Sequence, residues 1–146
     1  MEFEVILDKK LENEKVVIYA KENSDIIDEI KNIIEKSDTR IAGYKDSEIK
    51  LLEQKDITCV AVDGGRVFAI CDDSRFLLKE RLYTVEDKLD GNFVKINQSC
   101  IANIEKIQMF ETSIGATLKV KFKNGYCDYV SRRQLKAVKE RLGLKK

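Results

Sequence analysis

Ser131-Arg132-Arg133 opens a segment whose apolar positions, Leu135, Val138 and Leu142, recur at helical spacing. A helix N-terminus carries unpaired N–H groups and about half a positive charge. Two arginines there oppose the dipole, at roughly 0.3–1 kcal/mol each when exposed. The arrangement makes sense where an anion binds, because helix starts and arginines both attract phosphate. Lys136 and Lys139 extend the same basic helix. The alternative is that both arginines turn away to pair with carboxylates.

Three further groups of residues invite the same question. Lys95-Ile96-Asn97-Gln98-Ser99 is a polar corner between two apolar segments. Asn97 and Gln98 each present a donor and an acceptor suited to an adenine edge, and Lys95 or Ser99 can hold a phosphate. Asn and Ser are also ordinary turn residues, so a plain turn is the competing reading. Gly64-Gly65-Arg66 places an arginine beside flexible backbone, where it could reach a groove or simply sit on an exposed turn. Lys119, Lys121 and Lys123 share one face of a strand, which is how a solvated or edge-protected strand looks.

Catalytic chemistry has little to work with. The chain has no histidine, which removes the commonest general base and metal ligand, and with it Ser-His and Cys-His pairs and the HExxH zinc site. Cys59, Cys71, Cys100 and Cys127 form no CxxC and read as ordinary buried thiols of a reducing cytoplasm. The glycines form no phosphate loop, and no cofactor or metal site is expected. The carboxylates of Asp72-Asp73 and Glu86-Asp87 fall on turns and polar faces. A non-enzymatic protein is the expectation.

Net charge sharpens that reading once it is divided along the chain. The 146 residues carry a formal charge of +1. Residues 1–45 hold 8 basic and 11 acidic side chains, and residues 46–90 hold 7 and 11. Residues 91–146 hold 12 and 4, a net of +8. Such asymmetry points to a polyanionic partner for the basic third, or to a module that docks an acidic protein or self-associates through that third. No run approaches the ~18 apolar residues of a membrane span. The acidic start Met1-Glu2-Phe3-Glu4 lacks the basic n-region of a signal peptide, so a cytoplasmic location is expected.

The elements that must position these residues are mostly strands. Phe3–Leu7 and Lys15–Ala20 read as two strands, followed by a helix capped by Ser24 and marked by Ile26, Ile27, Ile30, Ile33 and Ile34. Residues 1–45 are thus an expected β-β-α extension. Short apolar runs follow at Ile49–Leu52, Ile57–Val62, Arg66–Cys71 and Arg75–Leu78, then a small helix over Leu82–Leu89. Phe93–Ile96 and Cys100–Phe110 are extended. Ala116, Leu118, Val120 and Phe122 alternate with polar residues, and Asn124-Gly125 turns this strand back into Tyr126–Val130. The last helix starts at Ser131 and ends at Gly143. The expected class is mainly β, with a β-rich domain over residues 46–146.

The run Phe93-Val94-Lys95-Ile96-Asn97-Gln98-Ser99-Cys100-Ile101-Ala102-Asn103-Ile104-Glu105-Lys106-Ile107 resembles the central motif of the LytTR family of bacterial DNA-binding domains. Lys123-Asn124-Gly125 and Val130-Ser131-Arg132-Arg133 with Leu135 are similar to its closing hairpin and helix start. Asp56-Ile57, the turn before Arg66, and Leu82–Leu89 fit upstream, so the resemblance covers about residues 46–143. It implies small antiparallel sheets with few short helices. It also implies duplex DNA bound through loops that reach successive major grooves and the minor groove between. The contacting positions it implies are Gly65-Arg66, Lys95 with Asn97 and Gln98, and Arg132-Arg133; Ser99 and Lys136, beside them in sequence, join them as candidate DNA contacts. Family members regulate transcription as dimers on repeated promoter elements, and some compact ones work with a membrane-protein regulator. The corner after Ile96 is often basic in the family and is neutral Asn97-Gln98 here, a departure that bears on affinity and sequence preference. Residues 1–45 are too few for a phosphoacceptor receiver domain of usual size.

Overall fold

A computed structural model describes residues 1–12, 14–35, 39–112 and 117–144. The chain divides into two compact units, Met1–Ser37 and Asp38–Lys146.

In the first unit the helix forms as α1, Asp25–Glu35, with Asp25 and Asp28 in its first turn. Ser24 caps it, its Oγ accepting from Ile27 N–H at 3.4 Å. The two strands expected over Phe3–Leu7 and Lys15–Ala20 are not formed, and no strand occurs among the described residues before Ile41. The physical reason is that these segments bury no apolar face within the described part of their own unit. Phe3, Leu7 and Tyr19 are each more than nine-tenths exposed, and an isolated two-stranded ribbon is marginal in water. Alternation marks a strand only where one face has a core to meet.

The second unit begins with β1 (Ile41–Lys45), β2 (Glu48–Leu52), β3 (Cys59–Asp63), β4 (Arg66–Ile70) and β5 (Arg75–Leu78). After α2 (Leu82–Lys88) come β6 (Phe93–Asn97), β7 (Cys100–Asn103), β8 (Ile107–Thr112), β9 (Leu118–Phe122) and β10 (Cys127–Val130), and then α3 (Arg132–Leu142). Seven strands form one sheet in the order β2-β1-β5-β4-β3-β7-β6, and β10-β9-β8 form a second. Every strand pairing among the described residues is antiparallel. The mainly-β expectation therefore holds. The residues expected to run extended from Cys100 to Phe110 are interrupted by a 3-10 turn, Ile104–Lys106, which sends β7 and β8 into different sheets. Asn103 makes that turn: its side chain accepts from Glu105 N–H at 3.1 Å and donates to Ile57 C=O at 2.8 Å.

Two cores flank the large sheet. Val60, Val67, Phe76, Leu78 and Ile101 pack on one face with Val85 of α2. Cys59, Ala61, Cys100 and Ala102 face the other way, against Leu118, Val120 and Phe122 of β9, Val130 of β10 and Val138 of α3. The small side chains of β3 and β7 let the second sheet approach closely, which accounts for the two buried cysteines there. Gly43 is small for the same kind of reason. A Cβ there would lie 2.7 Å from Phe76 Cβ and 2.8 Å from Leu52 Cδ1. Gly43→Ala is expected to destabilise the fold by about 1–3 kcal/mol, read as a lower urea midpoint at unchanged m-value. An unchanged midpoint would show that β1 can shift to admit a methyl group.

No helix among the described residues is long and apolar enough to cross a membrane.

Candidate nucleic-acid interface

Three loops meet at one end of the second unit. The β6–β7 corner, Asn97 to Cys100, is built on a bulge. Lys95 lies opposite Ile101 and Asn97 opposite Cys100, so Ile96 is an extra residue on β6. The bulge sends two successive side chains toward β10 and α3. Ile96 is fully buried with Val130 and Val138, and Asn97 reaches Asp128 and Tyr129. Gln98 and Ser99 at the tip are exposed.

Backbone hydrogen bonds hold the neighbouring loops to this corner. Ser131 N–H donates to Ile96 C=O at 2.9 Å, joining the start of α3 to β6. Val62 N–H donates to Ser99 C=O at 2.8 Å, joining the end of β3 to the corner. Beyond Val62 the β3–β4 hairpin projects with Gly64 and Gly65 at φ +59° and +78°. That pair of left-handed residues makes the tight turn expected of Asp-Gly-Gly and leaves Arg66 exposed just past it.

At the third loop Ser131 caps α3, its Oγ accepting from Gln134 N–H at 3.3 Å. Val138 is buried, and Leu135 and Leu142 pack on the same core, so Arg132, Arg133 and Lys136 stand on the exposed face of the helix. Neither arginine turns to a carboxylate: the ion pairs among the described residues are Arg75–Asp63 and Lys88–Glu80. Asp63 is thereby occupied at 3.0 Å by Arg75, and Arg66 beside it keeps its charge available.

The sequence-predicted residues are therefore not all equivalent in space. Asn97, Gln98, Ser99, Arg132 and Arg133 come together, with Gly65 and Arg66 on the adjoining tip. Lys95 is half-buried and registers with Ile101, placing it on the opposite face of the strand from Ile96. The base-reading role expected of Asn97 meets a different geometry: its amide is turned inward and bonded to the protein on every hydrogen. Asp128, absent from the sequence-based candidates, is the partner it finds. Nothing local marks Asp128, which reads as one carboxylate in a basic stretch until β10 is paired with β9.

Nucleophilic side chains line a hollow elsewhere in the second unit. An open hollow of about 440 Å³ is lined by Cys71, Asp72, Asp73, Arg75, Asn124 and Tyr126. Burial pushes the Cys71 thiol up and, with nearby acidic groups including Asp128, pushes the Tyr126 hydroxyl up to about 12. Both shifts are opposite to what an activated nucleophile needs. The Cys100 thiol is also raised, first by its hydrogen bond with Cys59 and then by burial. No group of three metal-ligating side chains occurs among the described residues. The Tyr126 shift has a measurable consequence. Folding favours the protonated phenol, so this stabilisation is complete below the ordinary tyrosine value of ~10. It is lost as pH rises toward about 12. Urea unfolding across that window is expected to show an alkaline loss that Tyr126→Phe reduces; identical limbs in both proteins would refute the assignment.

Residues 47–143 match the family model of the LytTr DNA-binding domain. The chain belongs to the LytTR family. An HTH-type transcriptional regulator of Staphylococcus aureus strain MSSA476 is 31% identical over 147 residues, covering 99% of each chain. Another, from strain NCTC 8325, is 33% identical over 130 residues, covering 87% of this chain and 88% of its own. Among solved structures, the LytTr DNA-binding domain of a methyl-accepting/DNA response regulator from Bacillus cereus superposes with a TM-score of 0.68, covering 71% of this chain and 96% of that one. At 15% identity that likeness concerns the fold alone. The LytTR architecture also differs from a helix-turn-helix: α2 and α3 are separated by β6 to β10 in the described chain.

Proposed function

We propose that this LytTR protein is a cytoplasmic, non-enzymatic transcriptional regulator that grips duplex promoter DNA with the three loops described above. Arg132, Arg133, Lys136 and Ser99 supply phosphate contacts and Lys95 adds one from the flanking strand, outside the converging loops, while Gln98 and Arg66 or Arg133 read base edges. The observation that carries the reading is the convergence of the corner, the hairpin tip and two carboxylate-free arginines at one end of a LytTR domain. Arginine in a groove is suited to guanine, and the Gln98 amide to adenine. A helix start that would otherwise repel arginine tolerates it when a phosphate lies between.

Two copies on repeated elements complete the reading. A homodimer on DNA multiplies two modest contacts by effective concentration, and the family likeness adds a membrane-protein regulator as a partner to seek by co-purification. Binding to a promoter duplex over a salt series is expected to give log K falling linearly with log[salt], with a slope set by the number of neutralised phosphates. Light scattering of the complex is expected to report two chains per duplex carrying two elements. A salt-dependent self-association that needs no DNA would favour instead the basic third as a protein-docking surface.

A further inference from the structure

The amide of Asn97 has three bonding partners inside the protein. Its Nδ2 donates to Asp128 Oδ1 at 3.0 Å and to Tyr129 C=O at 2.7 Å, and its Oδ1 accepts from Ser99 N–H at 2.7 Å. Asp128 Oδ1 also accepts from Tyr129 N–H at 2.7 Å. The network fixes the amide's orientation, because a flipped amide would set its oxygen against a carboxylate and a carbonyl. Both amide hydrogens are consumed. Bidentate recognition of adenine needs the oxygen and a hydrogen together, so reading a base would break the network.

These bonds cross from the β6–β7 corner to the last residues of β10, immediately before Ser131-Arg132-Arg133. Among the described residues, the other ties at this point are the backbone bond from Ser131 N–H to Ile96 C=O and the packing of Ile96 on Val130 and Val138. We infer that Asn97 is a positioning residue: with Asp128 it locks the corner that presents Gln98 to the helix start that presents Arg132 and Arg133, so that one duplex meets them at a fixed spacing. The amide also gives a second donor to a carboxylate that lies beside the proposed path of the phosphates and that Tyr129 N–H alone would otherwise hold. A cation at position 97 could pair with that carboxylate, but a neutral amide does so while adding no charge for DNA. The inference rests on the DNA-binding reading above.

The test uses the full chain and a panel of duplexes that vary one base pair at a time from a bound site. Asn97→Asp sets two carboxylates against each other and is expected to weaken binding to every duplex by about tenfold or more. Adding Asp128→Asn restores the 97–128 donor–acceptor pair in reverse at the original net charge, while a carboxylate then faces the Tyr129 carbonyl, and is expected to recover part of that loss. A cycle of Asn97→Ala and Asp128→Ala guards against a misfolded variant, and strong coupling in DNA affinity is expected. Unchanged base preference in Asn97→Ala, with affinity lowered throughout, supports positioning. A loss confined to one base pair, with no rescue by the exchanged pair, makes Asn97 a reader and overturns the inference. Failure of the unmodified chain to bind any duplex would overturn the DNA reading and this inference together.

Discussion

Replacing Arg132 and Arg133 together with alanine is expected to weaken DNA binding by roughly a hundredfold or more while making the protein slightly more stable. Both signs follow from one piece of geometry. The side chains stand exposed in the first turn of α3, and neither pairs with a carboxylate among the described residues. In the free protein they oppose the helix dipole, so their removal is expected to gain roughly 0.3–1 kcal/mol each. On DNA the same charges meet phosphate or a guanine edge, and their loss should flatten the salt slope of log K by about 1 per phosphate contact. Salt titration of duplex affinity, with thermal unfolding of the free protein alongside, reads both. A variant that binds as the unmodified chain does would remove α3 from the interface.

Phe122→Ala is expected to cost about 3–5 kcal/mol of folding stability, a large share of the ~5–15 kcal/mol typical of a domain. Phe122 is fully buried at the centre of the core between the two sheets, with the Tyr126 ring 6.0 Å away. Truncation would leave a cavity behind β9 and β10, the strands that carry Asp128 toward the start of α3. Lys121, its neighbour on β9, faces the other way and is only half-buried, and Lys121→Ala should stay within about 0.5 kcal/mol. Urea midpoints of the two variants give the comparison. A Phe122→Ala change below about 1 kcal/mol would mean that the second sheet contributes little to holding the unit together.

Local rules made much of this architecture legible. Asp63-Gly64-Gly65 is a hairpin turn because two successive left-handed residues demand glycine, and both φ values are positive. Leu118, Val120 and Phe122 alternate because one face of β9 meets a core. Ser131 and Gly143 cap α3 at the two ends where side-chain oxygen and left-handed backbone are needed. Tertiary features were less accessible. Phe3 and Val5 alternate with Glu4 before Ile6 breaks the pattern, and Phe3 and Leu7 stay exposed, whereas β9 alternates strictly. The bulge at Ile96 carries no glycine or other local marker, although it turns the Asn97 amide toward Asp128 and Tyr129 of β10. For the site, the arginines and Gln98 were legible as chemistry, whereas the Asn97–Asp128 pair depends on a contact across 31 residues of chain.

The charge asymmetry takes on a location through the same contacts. Most of the proposed DNA-facing residues lie in the third that carries +8, and Arg66 joins them from an acidic stretch because β3 hydrogen-bonds to the corner. A basic third alone would suit many acidic partners; a fixed set of loop-borne arginines and amides suits a duplex.

Selection of bound sites from a library of random duplexes tests the central claim most directly. Recognition of promoter DNA by these loops predicts enrichment of a repeated element at fixed spacing, with sequence preference relaxed at particular base pairs when Arg133 or Gln98 is replaced by alanine. Recovery of unenriched random sequence by the unmodified chain, at salt where it binds tightly, would contradict it.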